Sequence, residues 1–260
     1  MNHASIRLFT RPLVLLVAAI AGCQGPPDAP KRLEALTSYL FDNTRDGSDE
    51  VLAAGLLNLQ EWLETGYQDA TEGYRVSDLS QASVDALDER SFNLTGLAGA
   101  AVTTRIGHKI KPVVDVIAMG DNTRIYGDMY EAYVRDWETD GDCHVARECL
   151  WGAADIRSTA DYGLVTVESK YRSEYRWVET DAGWAHLQRT WLLEPIEVLG
   201  IQTNATFYLG VSLADGSRTE RLQVSWAAIQ TNLPITEENA LNQTIKSLIE
   251  TEEDIDAWLD

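Results

Sequence analysis

The sequence is poor in positive charge, in histidine and in cysteine, and it has no apolar run long enough to cross a bilayer. Its 21 Lys and Arg stand against 41 Asp and Glu, a formal net charge of −20. A surface of that sign repels phosphate backbones and anionic head groups, which excludes nucleic acid as a partner, and solubility alone accounts for it. Only four histidines are present, and there is no H-E-x-x-H, no G-x-S-x-G and no phosphate-cradling glycine loop. Nothing therefore marks an enzyme, and no cofactor is expected. Carboxylate pairs are too frequent in so acidic a chain to identify a site.

What is there begins with residues 1–22. Arg7 and Arg11 precede an apolar run, Leu13 to Ile20, which small residues follow. A bilayer core of ~30 Å needs about 20 apolar residues in a helix, so this run reads as a removed leader and not as a span. Ile20-Ala21-Gly22-Cys23 closes it. Apolar, small, small, Cys after a charged start resembles the lipobox of bacterial lipoproteins. The resemblance implies cleavage before Cys23, lipidation of its thiol and amino group, and an acidic domain held on the outside of a cytoplasmic membrane. At roughly 0.8 kcal/mol per buried methylene, several acyl chains anchor firmly. Gln24 stands where the family's inner-membrane retention signal has Asp, so the resemblance places the protein at an outer membrane, facing the periplasm. The segment to Pro30 holds three prolines and reads as a short extended spacer.

Lipidation of Cys23 leaves Cys143 and Cys149, an even pair in a chain bound for an oxidising compartment, and we expect them to be bridged. Asp42-x-Thr44-x-Asp46-Gly47 opens like a calcium loop, but its twelfth position is Ala53 where a bidentate Glu is required. Asp136-x-Glu138-x-Asp140-Gly141-Asp142 has Arg147 at that position. Solvated turns with helix caps account for both, and no metal site is assigned.

Helical spacing of Leu33, Leu36 and Leu40, then of Val51, Leu52, Leu56, Leu59 and Leu63, predicts a helical hairpin ending near Gly66. A short helix is expected after Ser80 and another over Val113–Met119. From Val165 to Trp177 the odd positions are mostly apolar or aromatic and the even ones polar, the period of a strand. Tight turns at Asp181-Ala182-Gly183 and Asp215-Gly216 join it into a meander. Leu187, Trp191 and Leu193, then Phe207, Leu209 and Val211, then Leu222, Val224 and Trp226 carry the apolar register. Thr236 starts a closing helix whose Leu241, Ile245, Leu248, Ile249, Ile255 and Trp258 form one stripe. The expected organisation is a leader at 1–22, anchor and spacer at 23–30, a helical region at 31–95 and a helix-on-sheet domain at 96–260. The fold class is α+β, a curved antiparallel sheet packed on a long C-terminal helix behind an N-terminal helical hairpin.

This order of elements over residues 97–260 resembles the helix-grip fold of START-like lipid-transfer and polyketide-cyclase proteins. Cone-type α+β folds and lipocalin-type barrels with a trailing helix share it. The helix-grip resemblance implies an apolar cavity between sheet and closing helix, faced here by Tyr171, Tyr175, Trp177, Arg189, Trp191, Phe207 and Trp226. Arg189 falls on an apolar register and must find an anion, either a ligand carboxylate or an internal acid. The function expected is an envelope lipoprotein that binds or carries an apolar ligand, lipid foremost. The alternative is a non-enzymatic scaffold of an envelope complex, whose protein partner the sequence does not name.

Overall fold

The computed structural model describes residues 28–66, 73–87, 91–126, 129–161, 165–231 and 236–260. The leader, the lipobox and Cys23 lie outside the described residues. The hairpin of α1 (Leu33–Asp46) and α2 (Asp49–Gly66) forms as the leucine spacing predicts. Its turn needs Gly47, because a Cβ there would lie 2.6 Å from the Asn43 carbonyl oxygen. A short strand β1 (Tyr74–Val76) and the helix α3 (Gln81–Asp85), capped by Ser80, follow. The chain then runs through β2 (Leu97–Ile106), α4 (Ile110–Ile117), β3 (Tyr130–Trp137) and α5 (Gly141–Val145). The meander comprises β4 (Trp151–Asp161), β5 (Thr166–Thr180), β6 (Gly183–Leu192), β7 (Ile196–Val198), β8 (Ile201–Asp215) and β9 (Arg218–Thr231). The closing helix α6 (Glu237–Leu259) is capped by Thr236, whose hydroxyl accepts from the Asn239 N–H at 3.2 Å.

The strands form one antiparallel sheet in the order β1-β2-β9-β8-β6-β5-β4-β3, with β7 paired to β8. Together with the N-terminal helical pair and the C-terminal helix it is the expected α+β architecture. Five strands, the short β1 and β7 and the longer β2, β3 and β4, were not legible as strands. β2 is rich in Ala and Gly because both its faces are covered, and a Cβ on Gly99 would meet Trp226 at 2.3 Å; in β4 the small residues cluster at its start, where a Cβ on Gly152 would sit 2.9 Å from the Trp137 ring, while Asp155, Arg157 and Asp161 beyond are exposed.

Which side chains share a face follows from the tight hairpins. Thr180 pairs with Gly183 across a two-residue loop, so odd residues of β5 oppose even residues of β6. Trp177 therefore opposes His186 and Tyr175 opposes Gln188, while Glu174 opposes Arg189. From β6 to β8 the parity is kept, Trp191 opposing Phe207, and the β8–β9 hairpin flips it again, Phe207 opposing Trp226. The seven aromatic and basic residues expected on one inner face are thus divided. Tyr171, Tyr175 and Trp177 point to the side of α4, α5 and α6. Arg189, Trp191, Phe207 and Trp226 point to the other side, beneath α1 and α2.

The hairpin side is solid. Phe41 of α1 meets Phe207 and Trp226 edge-on at 6.2 and 5.6 Å, Phe92 meets Phe207 at 5.2 Å, and the leucines of both helices complete a continuous core. Arg189 finds its anion within the fold: its Nε donates to Glu174 at 2.6 Å, and it also donates to the Phe41 carbonyl at 3.2 Å. Arg45 pairs with Glu174 at 3.1 Å, and Arg176 with Asp49 at 2.6 Å, so ion pairs seal the hairpin's edge.

On the opposite side, Cys143 and Cys149 are bridged, with Cα atoms 5.2 Å apart, and hold α5 against β4 and β5. His144 inside this loop is fully buried against Trp137, Tyr175, Trp177 and His186. Its Nδ1 donates to the Cys149 carbonyl at 3.1 Å, which leaves Nε2 as an acceptor for the His186 Nε2–H at 3.2 Å. A proton on His144 would set two N–H groups against each other. Burial pushes its pKa down to about 4, and burial with the neighbouring His144 pushes His186 well below the usual value.

Two outcomes are expected. Phe41→Ala should cost about 3–5 kcal/mol in urea unfolding, whereas a loss under ~1 kcal/mol would mean the hairpin is no part of the core. Below pH ~6.5 the unfolded chain takes up protons that the folded histidines refuse, so stability should fall by about 2 kcal/mol for His144 alone between pH 6.5 and 5. The double variant His144→Gln, His186→Gln should flatten that slope; an unchanged slope would refute the assignment.

Candidate ligand cavity

The two halves of the sheet turn their apolar sides in opposite directions. β6, β8 and β9 give their apolar registers to α1 and α2, so what they present to α6 is polar: Gln188, Tyr208, Arg221 and Gln223. The C-terminal half of α6 is fixed to this polar face by hydrogen bonds. Arg221 donates to Glu252 at 2.6 Å, with both side chains almost wholly buried, and the Thr104 hydroxyl donates to the second Glu252 oxygen at 3.1 Å. Gln223 donates to the Leu248 carbonyl at 3.0 Å and accepts from the Tyr208 hydroxyl at 2.9 Å. Such a buried pair fixes the helix in place, because a slip would strand both charges.

Beneath this anchored half lies a partly open cavity of about 240 Å³. Its floor is the polar face of β6, β8 and β9. Its roof is Leu248, Thr251, Glu252 and Ile255 of α6, and its wall includes Ile117, Asn122, Tyr126, Tyr130, Tyr133 and Arg135. Burial pushes the Tyr133 and Tyr208 phenols up to about 12 and Tyr126 well above its usual value, so all three stay protonated and offer O–H groups at neutral pH. Arg135 is 6 % exposed and Arg221 2 %. Among the described residues the Nε of each, and Asn122 Oδ1, have no hydrogen-bond partner. Unmet polar atoms around one space describe a binding site more readily than a structural core.

Towards the N-terminal half of α6 the lining changes. A second cavity of about 210 Å³ lies between that half and the β2–β9 strands, bordered by Gly96, Ala98, Ala227, Ile229, Ala240 and Leu241 together with Thr231, Thr236 and Thr244, and by no charged residue among those described. Ser225, Ala227 and Ile229, which face α6, are only half-buried, while Val224, Trp226 and Ala228, which face the hairpin, are buried. Leu241 and Ile245 of the predicted stripe are likewise half-buried, and Trp258 is exposed beneath the Arg124 guanidinium. Small residues on both surfaces leave the gap. From Arg221 to Ala227 the strand covers about 20 Å, so the polar and apolar compartments follow one another along a single strand.

None of the seven residues singled out in the sequence borders either cavity. Tyr175 comes nearest, its ring 5.7 Å from the Arg135 guanidinium, and Trp177 is packed solid with His144 and His186. Tyr126, Tyr133, Arg135, Tyr208, Arg221 and Glu252 were not singled out. The parity of the two-residue hairpins carried the signal for Tyr208 and Arg221; Arg135 lies on a strand the sequence did not reveal. The acidic clusters are occupied locally. Asp42 lies within α1 and accepts from Ser83 at 3.1 Å, Asp136 pairs with Arg157, and Asp140 caps α5 by accepting the Cys143 N–H at 2.9 Å. Among the described residues no group of three or more His, Cys, Asp or Glu side chains is placed to hold a metal ion.

No family model matches the chain, and no curated protein matches it. Among solved structures it is similar to a STAR-related lipid transfer protein from Xanthomonas axonopodis at 13 % identity and a TM-score of 0.46, covering 65 % of this chain and 90 % of that one. It is also similar to a START superfamily protein from Mycobacterium smegmatis (8 %, TM-score 0.40, 61 % of this chain and 94 % of that one). A third is the Zhui aromatase/cyclase from a Streptomyces species (11 %, TM-score 0.39, 62 % and 88 %). Likenesses of this depth carry nothing about what this chain binds.

Proposed function

We propose that this protein is a lipid-anchored envelope protein that holds one amphiphilic small molecule between α6 and the sheet. The anchor rests on the leader and Cys23. The ligand rests on one observation, the pair of spaces beneath α6, one lined by phenols and guanidinium groups and the other, with no charged residue among those described, by Gly, Ala, Ile, Leu and three threonines. An apolar chain fits the second space, where small side chains leave room and no polar group needs a partner. The first space suits a polar head, because an apolar occupant there would bury Arg and Tyr donors without satisfying them. A lipid-like molecule with a polar end therefore fits better than a wholly apolar one. No nucleophile and base stand together in either space, so the reading is of a carrier or sensor, not of a catalyst.

Native mass spectrometry of the full-length protein, exported, purified in a mild non-ionic detergent and collisionally stripped of it, tests this. The expected spectrum has one additional mass per chain, unchanged when the detergent is changed. A bare chain in every detergent, together with stoichiometric capture of a single protein partner after crosslinking in cells, would replace the carrier with the scaffold reading.

A further inference from the structure

Among the described residues Arg135 is a buried cation without a counter-ion. It lies on β3, the second-last strand residue but one before the α5 loop, with its side chain turned into the polar compartment. Two of its nitrogens are engaged, one by the Met119 carbonyl and one by the Tyr133 hydroxyl at 2.8 Å, and both acceptors are neutral. The Tyr133 and Tyr175 rings lie 5.4 and 5.7 Å from the guanidinium carbon, which softens the cost of burial and does not cancel the charge. Among the described residues no carboxylate pairs with it, and the one carboxylate among them that lines the compartment, Glu252, is already taken by Arg221 at 2.6 Å. Two guanidinium groups and one carboxylate thus line the same space, leaving one positive charge in excess in a chain of net charge −20.

The other buried guanidinium groups show how this fold treats such a group when its role is structural. Arg189, 3 % exposed, has Glu174, and Arg221, 2 % exposed, has Glu252. Arg135 departs from that pattern among the described residues: its Nε has no hydrogen-bond partner among them, and the residue lines the cavity. Desolvating a guanidinium without an anion is unfavourable, and the described residues do not supply the anion that would complete the arrangement. A carboxylate suits it, because a guanidinium edge offers parallel N–H donors to two oxygens, and the protonated phenols of Tyr126 and Tyr133 are donors as well.

We propose that Arg135 is the anchor for the carboxylate of an anionic amphiphile, a fatty-acid-like molecule whose apolar chain runs beneath the N-terminal half of α6. This rests on the reading of the two spaces as one ligand site and adds the charge of the head. The acidic exterior does not oppose it, since repulsion from a distant solvated surface slows entry and is screened by salt, whereas the contact itself is made in a buried site.

The test uses decanoate and decanol, which share a tail and differ in the head, titrated against full-length protein, Arg135→Gln and Arg135→Lys in one detergent. Each probe is compared only between proteins, so its partition into micelles cancels. Arg135→Gln should weaken decanoate at least tenfold and leave decanol within twofold, with Arg135→Lys in between for decanoate. The ligand-free Arg135→Gln protein should melt no lower than the parent, since an uncompensated charge has been removed. A lower melting temperature with equal loss of both probes would make Arg135 a structural residue and overturn the proposal. Equal decanoate affinity in parent and Arg135→Gln would overturn it while leaving the ligand site standing. Binding of neither probe by the parent would overturn both.

Discussion

The arrangement depends on one constraint, the alternation of side chains along a strand carried across hairpins of fixed length. A two-residue loop joins an odd position to an even one, so Trp177 opposes His186 and Phe207 opposes Trp226. Because β5 and β6 each have an apolar register on odd positions, the flip sends those registers to opposite faces. One half of the sheet is then dry towards α5 and the other dry towards the N-terminal hairpin. A single helix laid on one side could not cover both, which is why this sheet has helices on each face.

That division separates stability from ligand space. The oily registers of β6, β8 and β9 meet α1 and α2, where Phe41, Phe207 and Trp226 interlock and leave nothing to fill. On the far side the same strands offer Tyr, Gln and Arg, which cannot interdigitate as hydrocarbons do and must be met by hydrogen bonds. Glu252, Gln223 and the Leu248 carbonyl meet enough of them to fix half of α6. The rest surround a cavity. Helix α6 is held at its C-terminal half by a buried ion pair, a few polar contacts and the packing of Ile255 against Ile106, Val113, Val116 and Ile117, and where that apolar packing stops the gap remains.

The helices were legible because leucine spacing and caps are local: Thr236 and Ser80 cap α6 and α3, and the stripes of α1 and α2 read directly. The long strands β5, β6, β8 and β9 were legible through their period of two. β2 and the start of β4 were not, because β2 is buried on both faces and both are approached closely by Trp226 and Trp137, so they use Ala and Gly, which carry no β signature. The aromatic residues were correctly read as inward-facing, but inward has two directions in a sheet covered on both sides, and only the pairing across Thr180 and Gly183 separates them. Arg189 and its acid were expected as a pair in general terms; the identity of Glu174 follows from its place directly opposite on β5. The cavity itself is made by residues distant in sequence, Arg135, Tyr208 and Glu252, which no local pattern brings together.

The position of the ligand space, under α6 and not under the hairpin, is the claim on which the functional reading stands. A crystal of the protein with a long-chain alcohol carrying bromine at its terminal carbon locates it by anomalous scattering. The account predicts a single bromine peak beside Ala98 and Ala227, beneath the N-terminal half of α6. A peak among Phe41, Phe207 and Trp226, or an unchanged α6 with no ordered bromine at saturating alcohol, would contradict it.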